Sequence, residues 1–155
     1  MTETFEFRHP LVGLIDEITR LNGRLKSVFS AARRSVALGE SELMVLSAVV
    51  EAERPPTVPQ IGRSFGVARQ IVQRAANALI EDGFLEPLAN PDHKRAPLLG
   101  ATAAGLAVKR KADHCADTVA ADLAESLDPQ ALGELTTALH RLRKQLEAQL
   151  RGGEG

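Results

Sequence analysis

Apolar residues recur every three or four positions along three long stretches of this chain, and each stretch predicts an amphipathic helix. From Pro10, the positions Leu11, Leu14, Ile15, Ile18, Leu21, Leu25, Val28 and Phe29 form one stripe, predicting a single helix that runs to about Ala37. Near the other end, Leu132, Leu135, Leu139, Leu142, Leu146 and Leu150 form a heptad-like stripe, opened by Asp128 as N-cap and Pro129 at the first helical position. Leu106, Cys115 or Ala116, Val119, Ala120 and Leu123 mark a third helix, with Thr102 as N-cap. A helix of about 20 residues spans about 30 Å, more than a small central domain can cover. The terminal stripes are therefore expected to pack between subunits, with closure onto the same chain as the alternative.

The central stretch has a different rhythm. A helix is expected from about Glu40 to Ala52, broken at Glu53-Arg54-Pro55-Pro56. Thr57 and Gln60 then have the spacing of a capping box, in which each side chain satisfies a backbone amide at the helix start. That short helix ends near Ser64, and Phe65-Gly66-Val67 makes a tight turn for which Gly66 supplies the permissive backbone. A second helix follows from about Ala68 to Asp82. On it Val67, Ile71, Ala75, Ala78 and Leu79 are expected to pack, while Arg69, Gln70, Gln73 and Asn77 fall on the opposite face. After a stop at Gly83, the runs FLEPL and APLLGA flank ANPDHKR, which predicts a two-stranded hairpin with Lys94 and Arg95 at its tip. The expected fold is mainly α with a small β-hairpin wing.

Composition narrows the chemistry. The chain has 155 residues, 44% of them hydrophobic, enough for one domain with its own core and no disulfide staples. Its single Cys115 cannot form an internal disulfide, and no apolar run reaches the length of a membrane span. The acidic start, MTETFEFRHP, lacks a signal-peptide pattern, so a cytoplasmic protein is expected, and the final RGGEG is expected to be a frayed tail. With no Trp or Tyr and five Phe, the chain is poorly equipped to stack on sugars, unpaired bases or Pro-rich peptides.

The overall net charge is −1, so recognition of a polyanion must rest on a local patch. Such a patch is present. No acidic residue occurs between Glu53 and Glu81, where Arg54, Arg63, Arg69 and Arg74 all lie. From Pro59 to Lys111 there are eight basic residues against four acidic ones, a local +4 that leaves −5 on the remainder. This is the asymmetry of a DNA-facing module on an acidic scaffold.

The order of helix, turn, helix and basic hairpin, with the segments LGESELMVL, VPQIGRSFGVARQIVQRAANALIEDGFLEP and NPDHKRAPLLGATAAG, resembles the MarR family of winged helix-turn-helix transcriptional regulators. The motif-level resemblance covers about Leu38 to Gly105, and the helix order extends it to the whole chain. It implies an N-terminal dimerisation helix (1–37), a winged helix-turn-helix DNA-binding lobe (38–101) and C-terminal dimerisation helices (102–155). It further implies a homodimer that places each recognition helix in the major groove of a pseudo-palindromic site on double-stranded DNA, more often as a repressor than as an activator.

By position, the resemblance makes Arg69, Gln70, Gln73 and Arg74 the recognition-helix readers, with Arg95 and Lys94 on the wing. Gln pairs bidentately with adenine and Arg with guanine. The charge pattern and the polar helix face add Arg63 and Asn77. There are departures as well. Ala68 stands where the family often has a Ser or Thr cap, and Gly39 replaces a frequent capping Thr. His93 stands where the wing often has an Asp that holds the wing arginine, so either Asp92 takes over that support or the wing is held differently. The family's small aromatic or anionic effectors would meet Arg20, Arg24, Phe29, Arg33, Arg34 and Leu43, whose alternative reading is ordinary surface arginine and core.

Neither an enzyme nor a metal protein is expected, and no cofactor is implied. Asp113, His114 and Cys115 are neighbours on one helix and point about 100° apart, so they cannot converge on one atom. His9, His93, His114 and His140 have no ligand spacing, and no phosphate loop or nucleophile motif occurs. The rival reading is a winged-helix module that docks on another protein without sequence-specific DNA binding.

Overall fold

Several helices in this chain begin at a residue whose side chain caps them. The computed structural model describes residues 9–152, so residues 1–8 of the acidic start and the last three of the expected tail lie outside it. Helix α1 (Pro10–Val28) opens with the His9 ring accepting from the Leu11 amide at 3.1 Å and with Pro10 in the first turn. It stops at Phe29, and a short helix α2 (Ser30–Ser35) follows. The sequence predicted one continuous helix to about Ala37. The break is a backbone offset at Phe29, with φ −90° and ψ 10°, which leaves the apolar stripe uninterrupted and is therefore invisible to periodicity. Ala37 then turns the chain with φ 53°, a left-handed conformation unusual for a residue with a Cβ.

Helices α3 (Glu40–Glu51), α4 (Val58–Phe65) and α5 (Arg69–Glu81) form the centre, followed by strands β1 (Leu85–Leu88) and β2 (Leu98–Ala101). Their core joins Val45, Leu46 and Val49 of α3, Ile61 of α4, Val72, Ala75, Ala76 and Leu79 of α5, Leu85 of β1 and Leu99 of β2. These α5 residues fall at i, i+3, i+4 and i+7, one face of a helix. The face is rotated from the one expected: Val72 is buried, whereas Ile71 is 46% exposed. Ala75 and Leu79 pack as expected, and Val67 packs against the core from the turn before α5, but Ile71 lies at the edge of the buried face that Val72, Ala76 and Leu79 define.

The turn between α4 and α5 needs two glycines. Gly66 caps α4 with φ 63°, in the left-handed region that favours Gly. At Gly62, a Cβ would lie 2.9 Å from the Val67 carbonyl oxygen, so the returning chain can approach only a bare Cα. Helix α5 ends in a Schellman motif, in which the Phe84 amide donates to Leu79 O at 2.8 Å and Gly83 takes φ 79°.

The hairpin is antiparallel, with Leu85 opposite Ala101 and Leu88 opposite Leu98. Its other edge is also held. The Leu99 amide donates to Pro56 O at 2.8 Å, and Thr57 bridges Leu98, so the segment leading into α4 clamps β2. Helix α6 (Ala103–Leu123) leaves β2 through Thr102, whose hydroxyl donates to Gly83 O at 2.6 Å and accepts from the Gly105 amide at 3.0 Å. A 3-10 turn at Ala124–Ser126 precedes α7 (Pro129–Gly152), opened by Asp128 Oδ1 accepting from the Gln130 amide at 3.0 Å.

The chain divides into two compact units between Asp117 and Thr118. In the first, α1 contains no buried residue, and Leu11, Val12, Ile15, Ile18, Leu21, Leu25 and Val28 are all exposed. In the second, α7 likewise buries nothing, and Leu132, Leu135, Leu146 and Leu150 are exposed. Among the described residues no helix is long and apolar enough to cross a membrane.

Candidate nucleic-acid interface

The clamp between β2 and the α4 lead-in has a direct geometric consequence. It holds the hairpin tip opposite the start of α4 and α5, and the three enclose a cleft of about 1030 Å³. Arg54 reaches it from the lead-in, Arg63 from α4, Arg69 from α5 and Arg95 from the tip. Thr57, Gln60, Asn90 and His93 add polar lining, and Asp92 is the carboxylate that shares it. Among the described residues, none of these arginines takes part in an ion pair. Four cations on one concave surface raise its potential and leave it open to an anion that brings its own charge.

The local folding of the tip differs from the support expected for it. Asn90 closes it: its Nδ2 donates to Ala96 O at 2.8 Å, and its Oδ1 accepts from the Asp92 amide at 3.0 Å. Asp92 and His93 contribute backbone to this turn, His93 O accepting from the Ala96 amide at 3.3 Å. Among the described residues no ion pair joins Asp92 to Arg95. Lys94 is exposed at the tip and does not line the cleft.

Beside the cleft, α5 presents Gln70, Gln73, Arg74 and Asn77, all exposed. Gln73 Nε2 donates to Asn77 Oδ1 at 2.9 Å, which orients the two amides as a pair along the helix. The structure thus brings Arg63, Arg69 and Arg95 together in the cleft and sets Gln70, Gln73, Arg74 and Asn77 on the adjoining helix face. Arg54 was part of the charge pattern but not of the expected reader set. Its signal was its place just before Pro55-Pro56, the segment that clamps the wing.

The residues expected to meet an effector lie elsewhere, and none of them lines this cleft. Arg20 pairs with Asp16 at 2.9 Å, Arg24 is exposed, and Phe29 and Arg33 are half-buried. Arg34 donates to Ser30 Oγ at 3.3 Å, and Leu43 packs against the core.

Ion pairs of two lysines stiffen the frame around the interface. Lys26 Nζ of α1 meets Glu40 Oε1 of α3 at 2.8 Å, and this hydrogen bond holds the Glu40 carboxyl below its ordinary pKa despite the opposing effect of partial burial. Lys109 of α6 is buried. Its desolvation alone would lower its pKa, but hydrogen bonds to Asp113 and to Glu51 of α3 outweigh it and hold the ammonium above its usual value.

A family model described as MarR family matches residues 38–96. An uncharacterized protein of Mycobacterium tuberculosis is 39% identical over 140 residues, covering 86% of this chain and 97% of that protein. Among solved structures, CouR from Rhodococcus jostii bound to p-coumaroyl-CoA superposes with a TM-score of 0.71 at 17% identity, over 85% of this chain and 91% of that one. A mutant of E. coli MarR complexed with operator DNA superposes with a TM-score of 0.70 at 19% identity, over 85% of this chain and 94% of that one.

Proposed function

The chain belongs to the MarR family of transcriptional regulators, and from that premise we propose that it is a sequence-specific repressor that binds a pseudo-palindromic operator in double-stranded DNA as a homodimer. The observation that carries this reading is the arginine cleft between wing and helix-turn-helix, with the polar face of α5 beside it. In this account Arg54, Arg63, Arg69 and Arg95 neutralise phosphates and set the register of the protein on the duplex. Gln70, Gln73, Arg74 and Asn77 meet base edges in the major groove.

Two further supports concern assembly and control. The exposed aliphatic stripes of α1 and α7 each have the spacing of a helix that packs on another, which favours a dimer built from the terminal helices. A protein of this fold binds p-coumaroyl-CoA. Release of the operator by a small aromatic or anionic effector would fit the same scheme, the ligand shifting the population between two spacings of the recognition helices.

Selection of bound duplexes from a random pool at about 0.15 M salt, where weak nonspecific attraction is screened, tests the reading. A pseudo-palindrome with half-sites about 10 base pairs apart is the expected product. A folded dimer that enriches no sequence would favour the rival, a winged-helix module that docks on protein.

A further inference from the structure

An isoleucine is out of place on the reading helix. Ile71 is 46% exposed on α5, one residue before the fully buried Val72, so the packing of α5 fixes it outside the core. The other large exposed apolar residues of the described chain lie on α1, α6 and α7, at the end of α4 at Phe65, or at Leu127, and none of them shares α5 with it. Ile71 therefore belongs to no apolar stripe that another helix could cover. Arg74, exposed and polar, lies one turn further along the helix from it, and Gln70, also exposed, precedes it in the same first turn. A β-branched side chain is also a poorer helix former than Ala at an exposed position, so local helix stability does not account for it.

Ile71 is the third residue of α5, in the first turn. Residues at the start of a recognition helix are the ones that reach base edges. An aliphatic side chain can neither donate nor accept a hydrogen bond there, and the apolar group that a standard base pair displays in the major groove is the C5-methyl of thymine. We infer that Ile71 is a specificity residue that reads a thymine methyl group, alongside the hydrogen-bonding Gln70 and Arg74. This rests on the DNA-reading function proposed above and adds to it a base and an atom. Each half-site contains one thymine whose methyl packs on Ile71, and the contact excludes cytosine at that position without any hydrogen bond.

The test replaces each thymine of a selected duplex by deoxyuridine in turn, which deletes one methyl group and leaves base pairing intact. Affinities are measured for the wild-type protein, Ile71→Ala and Ile71→Val. For the wild type, one position per half-site should weaken binding about fourfold on loss of its methyl, the effect of one buried carbon. Ile71→Ala should bind the thymine and uracil duplexes equally, while Ile71→Val keeps most of the preference. Because Ile71 lies outside the core, both variants should melt like the wild type. Wild-type indifference to every thymine-to-uracil exchange would overturn this inference and leave DNA reading standing, as would an unchanged preference in Ile71→Ala. Failure of the wild type to bind any duplex would overturn both.

Discussion

A Cβ placed on Gly105 would lie 2.0 Å from the carbonyl oxygen of Phe84, so the first turn of α6 rests directly on the backbone that leads into the wing. Thr102 reinforces the contact, its amide donating to Phe84 O at 3.1 Å and its hydroxyl to Gly83 O at 2.6 Å. Because the obstacle is backbone rather than a flexible side chain, no rotamer change relieves it. Gly105→Ala should therefore destabilise the protein by about 2 to 3 kcal/mol, the usual scale for overpacking, and it should displace the wing. Chemical denaturation checks the first effect and loss of operator affinity the second.

In the proposed function the arginine cleft positions the duplex and α5 reads it. Arg95→Ala and Arg54→Ala should weaken binding to every duplex by similar factors, because each removes a cation from the cleft and no base contact. Gln73→Ala should relax the preference at particular base pairs, at a cost of about 1 to 3 kcal/mol for the favoured base. Repeating the duplex selection with each variant checks this. Equal effects of all three on every sequence would count against base reading by α5.

Asn90 holds the wing tip by two hydrogen bonds, to Ala96 O and from the Asp92 amide. Asn90→Ala should leave the melting temperature almost unchanged, since the tip is exposed, yet weaken DNA binding by loosening the segment that carries Arg95. Hydrogen exchange at the Asp92 amide should accelerate in this variant. If the Asp92 or His93 side chains were the main support, Asp92→Ala or His93→Ala would instead have the larger effect on affinity.

The Lys109 ion pairs make stability depend on alkaline pH. Its folded-state pKa is raised above the unfolded value of 10.5, so the folded protein binds the extra proton. The resulting stabilisation is complete below the unfolded pKa and is lost as pH rises through the folded one. The chain has no tyrosine to add an alkaline transition of its own. Denaturation between neutral pH and strongly alkaline pH should show this loss, and Lys109→Met should flatten it. The Glu40 carboxyl has the opposite sign: its stabilisation is present above the unfolded value of 4.5 and fades as pH falls through the lower folded one.

Ala37 carries φ 53°, a conformation that costs a residue with a Cβ about 1 to 2 kcal/mol. Ala37→Gly removes that strain and adds some unfolded-state freedom, so a net gain of about 0.5 to 1 kcal/mol is expected. An increase in melting temperature checks it.

The features legible in the sequence were those in which one residue type at one spacing has one physical meaning. The Thr57–Gln60 capping box, the left-handed Gly66, the Asp128-Pro129 helix start and the hairpin around Lys94 and Arg95 all appear in the structure. Features that depend on contact between distant segments were not legible. The clamp of Pro56 on Leu99 assembles the cleft and brings Arg54 into it, and nothing in either segment alone announces the other. Gly62 and Gly105 are required by approaching backbone rather than by their own dihedral angles, so their composition context looked ordinary. Ile71 has helical spacing from Ala75 and Ala78, so periodicity alone places it in the core, whereas the face that packs is the one defined by Val72, Ala76 and Leu79.

The salt dependence of binding to a selected operator measures most directly whether the arginine cleft binds the phosphates of a duplex. A plot of log affinity against log salt should fall with a slope of about −0.9 for each phosphate neutralised, and the variant lacking Arg54, Arg63, Arg69 and Arg95 should be shallower by about 0.9 for each contact removed. A wild-type affinity that hardly changes with salt, or a variant whose slope matches the wild type, would mean that the cleft does not bind phosphate.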